Sequence, residues 1–178
     1  MGSVKEMERA MQVNRSILIA VDDSEASHRA VEYVADMLGR QYKFFVTLFH
    51  VLPTLPPSLL EHGGSENPAI EEAKEEEIRN RQASWLEEVK RTAQPTLERA
   101  KAVLRDARIP ARDIAVQFYA PVSGESLVSD ILQAAQKANC ETIVVGRETF
   151  SGLHRLLKHH VADDLIRRGH HHTIWVVE

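Results

Sequence analysis

Apolar residues along this chain switch between short unbroken runs and longer stretches with helical spacing. Ile17 to Val21, in RSILIAVDD, form a near-continuous apolar run, which suits a strand buried on both faces of a parallel sheet. SEASHRAVEYVADMLGR follows, with Ala30, Val31, Val34, Ala35 and Leu38 at helical spacing. Ser24 or Ser27 can cap this helix, Asp22 and Asp23 complement its dipole, and Gly39 is placed to end it. KFFVTLFHVLP reads as a second strand stopped by Pro53. The stretch from Pro53 to Pro68 contains four prolines and two adjacent glycines, a loop composition.

A long helical pattern comes next, with Ile78, Trp85, Leu86 and Val89 on one stripe. Its acidic residues gather early and its basic residues late, which complements the helix dipole. The acidic run Glu71 to Glu77 reads as a solvated face, and Pro95 is expected to kink the helix or split it. RDIAVQFYAP is a third strand, and Ser123 and Gly124 introduce the helix ESLVSDILQAAQKAN. CETIVVG is a fourth strand. GLHRLLKHHVADDLIRRG is a fourth helix, with Leu153, Leu156, Leu157, Val161, Leu165 and Ile166 on its apolar side. HTIWVVE is a fifth strand. Strictly alternating strands and helices predict an α/β fold: one Rossmann-like domain with helices on both faces of a parallel sheet. Residues 1–14 form an extension before the 15–178 domain, and residues 53–95 enlarge the connection after the second strand. In such sheets ligands bind beyond the carboxyl ends of the strands.

Composition narrows the function classes. The 178 residues carry a net charge of −4, with no basic excess to drive nucleic-acid binding. No run is long and apolar enough for a membrane span, and no apolar signal core is visible. A cytoplasmic location is expected. Cys140 is the only cysteine, so an intrachain disulfide is excluded, and the thiol reads as a small buried hydrophobe.

The first strand and turn, ILIAVDDSEASHRAVEYV, together with LFHVLP and IVVGRETFSGLHRLLKHHVADDLIRRGHHHTIWVV, resemble the universal stress protein family. The resemblance covers Arg15 to Val177. It implies a five-stranded parallel sheet of order 3-2-1-4-5 and a homodimer formed through the C-terminal strand. It also implies a family divided into nucleotide-binding and non-binding members. The binders carry Gly-x-x-Gly, nine residues, then Gly-Ser or Gly-Thr around the phosphates. Here the first glycine is Gly146. The second falls on Thr149, the third on His159 and the hydroxyl position on His160. Asp22 matches the residue near the adenosine, and Val51 the residue whose backbone faces the base.

Glycines at such positions let a phosphate approach backbone N–H groups. A β-branched Thr149 and the imidazoles of His159 and His160 crowd that space. The expectation is a non-enzymatic, dimeric stress-response protein with no cofactor, acting through other proteins. The alternative is an ATP or AMP binder, using ATP with Mg²⁺ and perhaps hydrolysing it slowly. Arg147, Arg155 and Lys158 are candidate anion contacts in a shifted pose; their bland reading is a basic face answering Asp163 and Asp164. The histidines, including His154 and His170 to His172, give no set of three convergent metal ligands, so no metal is expected. Gly124-Glu125-Ser126 begins like a nucleophile elbow, but Val128 replaces its second glycine. Neither a Walker loop nor a dinucleotide fingerprint is present. TIWVV at a sheet edge invites pairing with a second chain, unless residues 1–14 cover it.

Overall fold

A computed structural model describes residues 16–39, 44–60, 67–121, 126–147 and 161–178. Five strands form one parallel sheet: β1 (Ser16–Ala20), β2 (Phe45–Val51), β3 (Ile114–Tyr119), β4 (Thr142–Gly146) and β5 (Thr173–Val177), in the order β3-β2-β1-β4-β5. Four α-helices connect them: α1 (Glu25–Leu38), α2 (Pro68–Asp106), α3 (Leu127–Lys137) and α4 (Val161–Arg168). The predicted alternation and strand order both hold.

Alternating side chains of each strand feed two cores. Ile17, Ile19, Val46, Leu48 and Val144 pack under α1 and α2 on one face. Leu18, Phe49, Ile143 and Val145 pack under α3 and α4 on the other. This two-sided burial is why the inner strands read as unbroken apolar runs rather than alternating ones. All five residues expected on the inner stripe of α1 are buried.

Four features depart from the sequence reading. Pro95 does not split α2, which runs unbroken for 39 residues, about 58 Å. Ala93 on one side of the proline and Leu97 on the other are both anchored in the core, so the flanking turns are held whatever bond Pro95 removes. From Ile70 to Thr92 no side chain of α2 is buried, and the expected stripe through Ile78, Trp85 and Val89 is only half covered. Gly39 ends α1 without entering the left-handed region, at φ −64°. A glycine stands there because a Cβ would lie 2.5 Å from the Ala107 carbonyl oxygen. Ile166 is exposed rather than on the apolar side of α4.

Left-handed residues instead end α2 and α3: Arg108 at φ 70° and Asn139 at φ 52°. Their neighbours Ile109 and Cys140 donate back to Leu104 and Ala135, closing both helices before the next strand. Residues 148–160, which hold the first half of the predicted fourth helix, lie outside the described residues, as do Ser123 and Gly124.

Candidate functional site

The carboxyl ends of β1, β2 and β4 converge on the turn from Val21 to Ser24. Three side chains lock that turn. Asp22 Oδ1 accepts from the Ser24 backbone N–H at 2.9 Å and from the Ser24 hydroxyl at 2.5 Å. Ser24 Oγ accepts from the Ser27 N–H at 3.1 Å, which makes Ser24 the N-cap of α1. Ser27, buried, accepts the Asp22 N–H on its own hydroxyl at 3.0 Å. Both predicted caps therefore act, one on the helix and one on the turn. One oxygen of Asp22 is engaged in holding this turn, not freely presented to a ligand.

Gly146 lies directly against the start of the same helix. A Cβ on it would sit 2.1 Å from the Ala26 carbonyl oxygen and 2.8 Å from the Ser27 nitrogen. Real Cβ contacts are never that close, so β4 can meet the first turn of α1 only through a glycine. The packing alone demands Gly146, with or without a phosphate nearby. Asp22 and Gly146 are thus brought together, joined through Ser27.

Val51 closes β2 beside Tyr119 and is half-buried. Its neighbour His50 was not singled out from the sequence. The His50 ring nitrogen Nδ1 lies 2.8 Å from the Val21 carbonyl. A carbonyl only accepts, so this contact requires the proton on Nδ1. The ring also meets Phe118 edge-on at 6.2 Å. His50 ties the end of β1 to β2 and β3. The signal for it was a polar residue in register with Val46 and Leu48, on the buried face of an apolar strand.

Arg147 emerges from β4 with its charge already answered. Its backbone N–H donates to Val177 O at 2.7 Å, and its guanidinium reaches Glu178 at 3.0 Å and Asp163 at 3.3 Å. It clamps the ends of β4 and β5 to the first turn of α4, the bland reading given to the basic cluster. Thr149, Arg155, Lys158, His159 and His160 lie outside the described residues.

The remaining candidates have structural duties. Ser126 stands at the N-cap of α3, where Arg168 donates to its hydroxyl at 3.4 Å and to that of Ser129 at 2.7 Å. His172 contacts the Cys140 carbonyl through Nδ1 at 3.0 Å. Cys140 is buried, and that burial pushes its thiol pKa up, partly offset by the Thr47 hydroxyl. Among the described residues no three His, Cys, Asp or Glu side chains gather in a way that could hold a metal ion, and no helix is long and apolar enough to cross a membrane.

A parallel sheet of order 3-2-1-4-5, its first crossover helix capped at the strand ends, defines an α/β protein of the Rossmann-like class. Within that class the universal stress protein family model matches residues 14–177, and the chain belongs to this family. No curated protein matches it. Solved structures share the fold. One is a universal stress protein family member from Burkholderia pseudomallei, with TM-score 0.55, 17% identity, and 93% of this chain and 97% of that one covered. Another is a universal stress protein in complex with cAMP, with TM-score 0.56, 15% identity, and 92% and 96% covered. A third is the universal stress protein from Archaeoglobus fulgidus in complex with dAMP, with TM-score 0.52, 18% identity, and 94% and 100% covered.

Proposed function

We propose that this chain is a non-enzymatic stress-response protein that acts as a homodimer through other proteins and does not hold ATP in the pose usual for nucleotide-binding members of its family. The observation that carries this reading is the contact between Gly146 and Ala26. Of the four positions that would surround the phosphates, three hold Thr149, His159 and His160, and the one surviving glycine is required by helix packing. Its presence therefore says nothing in favour of a nucleotide. Arg147, a candidate phosphate contact, already faces two carboxylates.

The homodimer reading is supported by β5. Thr173 donates to Glu141 and Val177 accepts from Arg147, so the intervening Ile174 and Val176 turn their peptide groups away from β4. Exposed apolar residues flank this edge: Tyr33 at 44% and Met37 at 58% on one face, Ile166 at 54% on the other. Tyr33 meets Trp175 of β5 edge-on at 6.0 Å. A twofold pairing of two β5 strands would cover the edge and both flanks.

Thermal unfolding with saturating ATP and Mg²⁺ tests the reading. A ligand at about a hundred times its Kd stabilises by about 2.7 kcal/mol, roughly 5–10 °C for a chain of this size. We expect no shift, and a shift of that size overturns the proposal. The second reading is an adenine nucleotide seated by its adenosine end at Asp22 and Val51, with its phosphates displaced from His159. The family members solved with cAMP and dAMP favour it. AMP raising Tm as strongly as ATP would select it.

A further inference from the structure

The opposite end of the sheet, at the amino ends of the strands, carries a groove with about 1410 Å³ of space between the last turns of α1 and α2. Its floor is apolar: Leu38 and Ile109 belong to the larger core, and Phe44 and Ala107 pack against it. Its rim is charged, with the carboxylates of Glu32, Asp36, Asp106 and Asp113 outnumbering the guanidiniums of Arg108 and Arg112. Such a surface fits an amphipathic segment with an apolar stripe and cationic flanks.

The chain itself contains one. β1 begins at Ser16, whose register partner is Phe45, the residue after Phe44 in the groove floor. Residues 1–15 therefore join the described body about one strand spacing, roughly 5 Å, from the groove wall. Their sequence, MGSVKEMERAMQVNR, places Val4, Met7 and Met11 at i, i+3 and i+7, the spacing of one helical face. Lys5 and Arg9 are four apart and match the acidic rim, while Glu6 and Glu8 can meet its two arginines. Methionine suits an irregular floor because its unbranched side chain adapts to gaps.

We propose that residues 1–15 dock as an amphipathic helix in this groove, seating Val4, Met7 and Met11 on the apolar floor and closing the amino end of the core. The segment then acts as an intramolecular plug. This surface is distinct from the β5 edge, and the proposal stands whether or not a nucleotide binds.

Paired cysteines in the full chain test it. Met7→Cys with Glu32→Cys places one thiol in the segment and one on the groove rim. Met7→Cys with Thr173→Cys probes the other resting place the sequence offers, the exposed start of β5. The native Cys140 is 2% exposed and does not compete. Mild oxidation is expected to close the Glu32 pair within one chain at least about tenfold faster than the Thr173 pair, as the difference in effective concentration requires. Equal rates, a faster Thr173 pair, or cross-links formed only between chains overturn the proposal. A second measurement avoids engineered thiols. Met7→Asp with Met11→Asp should speed hydrogen exchange across Val103–Asp113 several-fold and leave β4 unchanged. Unaltered exchange there also overturns it.

Discussion

Replacing Gly146 by alanine adds one methyl group, and the structure fixes what that methyl meets. It lies 2.1 Å from the Ala26 carbonyl oxygen, 2.2 Å from the Ala26 carbonyl carbon and 2.8 Å from the Ser27 nitrogen. An ordinary carbon contact is about 3.5–4.0 Å, so β4 and the first turn of α1 must separate by more than 1 Å. All three atoms are main chain, so no side-chain rotation relieves the overlap. The first turn is also held by Ser24 and Ser27, and it cannot shift without loosening those bonds. Overpacking a core costs roughly 1–3 kcal/mol, and a backbone collision belongs at or above the top of that range. About 3 kcal/mol is a large part of the 5–15 kcal/mol that holds a domain together, and corresponds to a fall in Tm of roughly 6–12 °C. Urea unfolding at fixed protomer concentration, without nucleotide, measures it as a lower midpoint. A variant that keeps its wild-type midpoint would refute the packing argument and return Gly146 to a ligand-binding role.

Other perturbations probe neighbouring features. Ser24→Ala should cost about 1 kcal/mol in the same urea titration, whereas Ser24→Gly should cost only a few tenths, because glycine is tolerated at an N-cap. Val176→Pro removes an N–H that points away from β4 and should leave the fold intact, since proline is accepted on an edge strand; light scattering should then show the homodimer replaced by monomer. Burial raises the Cys140 thiol pKa in the folded state. Below the unfolded thiol's pKa of about 8.5 both states keep the proton. Above it the unfolded chain releases the proton first, so this contribution to stability falls by up to about 1.4 kcal/mol per pH unit. Cys140→Ala should remove that alkaline dependence, read as ΔG of unfolding between neutral and alkaline pH.

What could be read from the sequence follows from which interactions are local. The strands were legible because two-sided burial writes itself as an apolar run, as in Ile17 to Val21, and α1 was legible because its stripe and its Ser24 cap are contiguous. Pro95 misled because a local rule was applied where core contacts on both sides of the proline decide the outcome. His50 went unnoticed because its partner, Val21, lies 29 residues away. Gly146 is the most instructive position. Read along the chain, it is the surviving member of a phosphate-binding pattern, and glycine there invites a functional explanation. In the fold it faces Ala26, a residue 120 positions earlier, and the absent side chain is dictated by how β4 meets α1. A glycine required for packing persists whether the site is used or not, so it cannot report on ligand binding. The positions free of that constraint are the informative ones, and in this chain they are Thr149, His159 and His160.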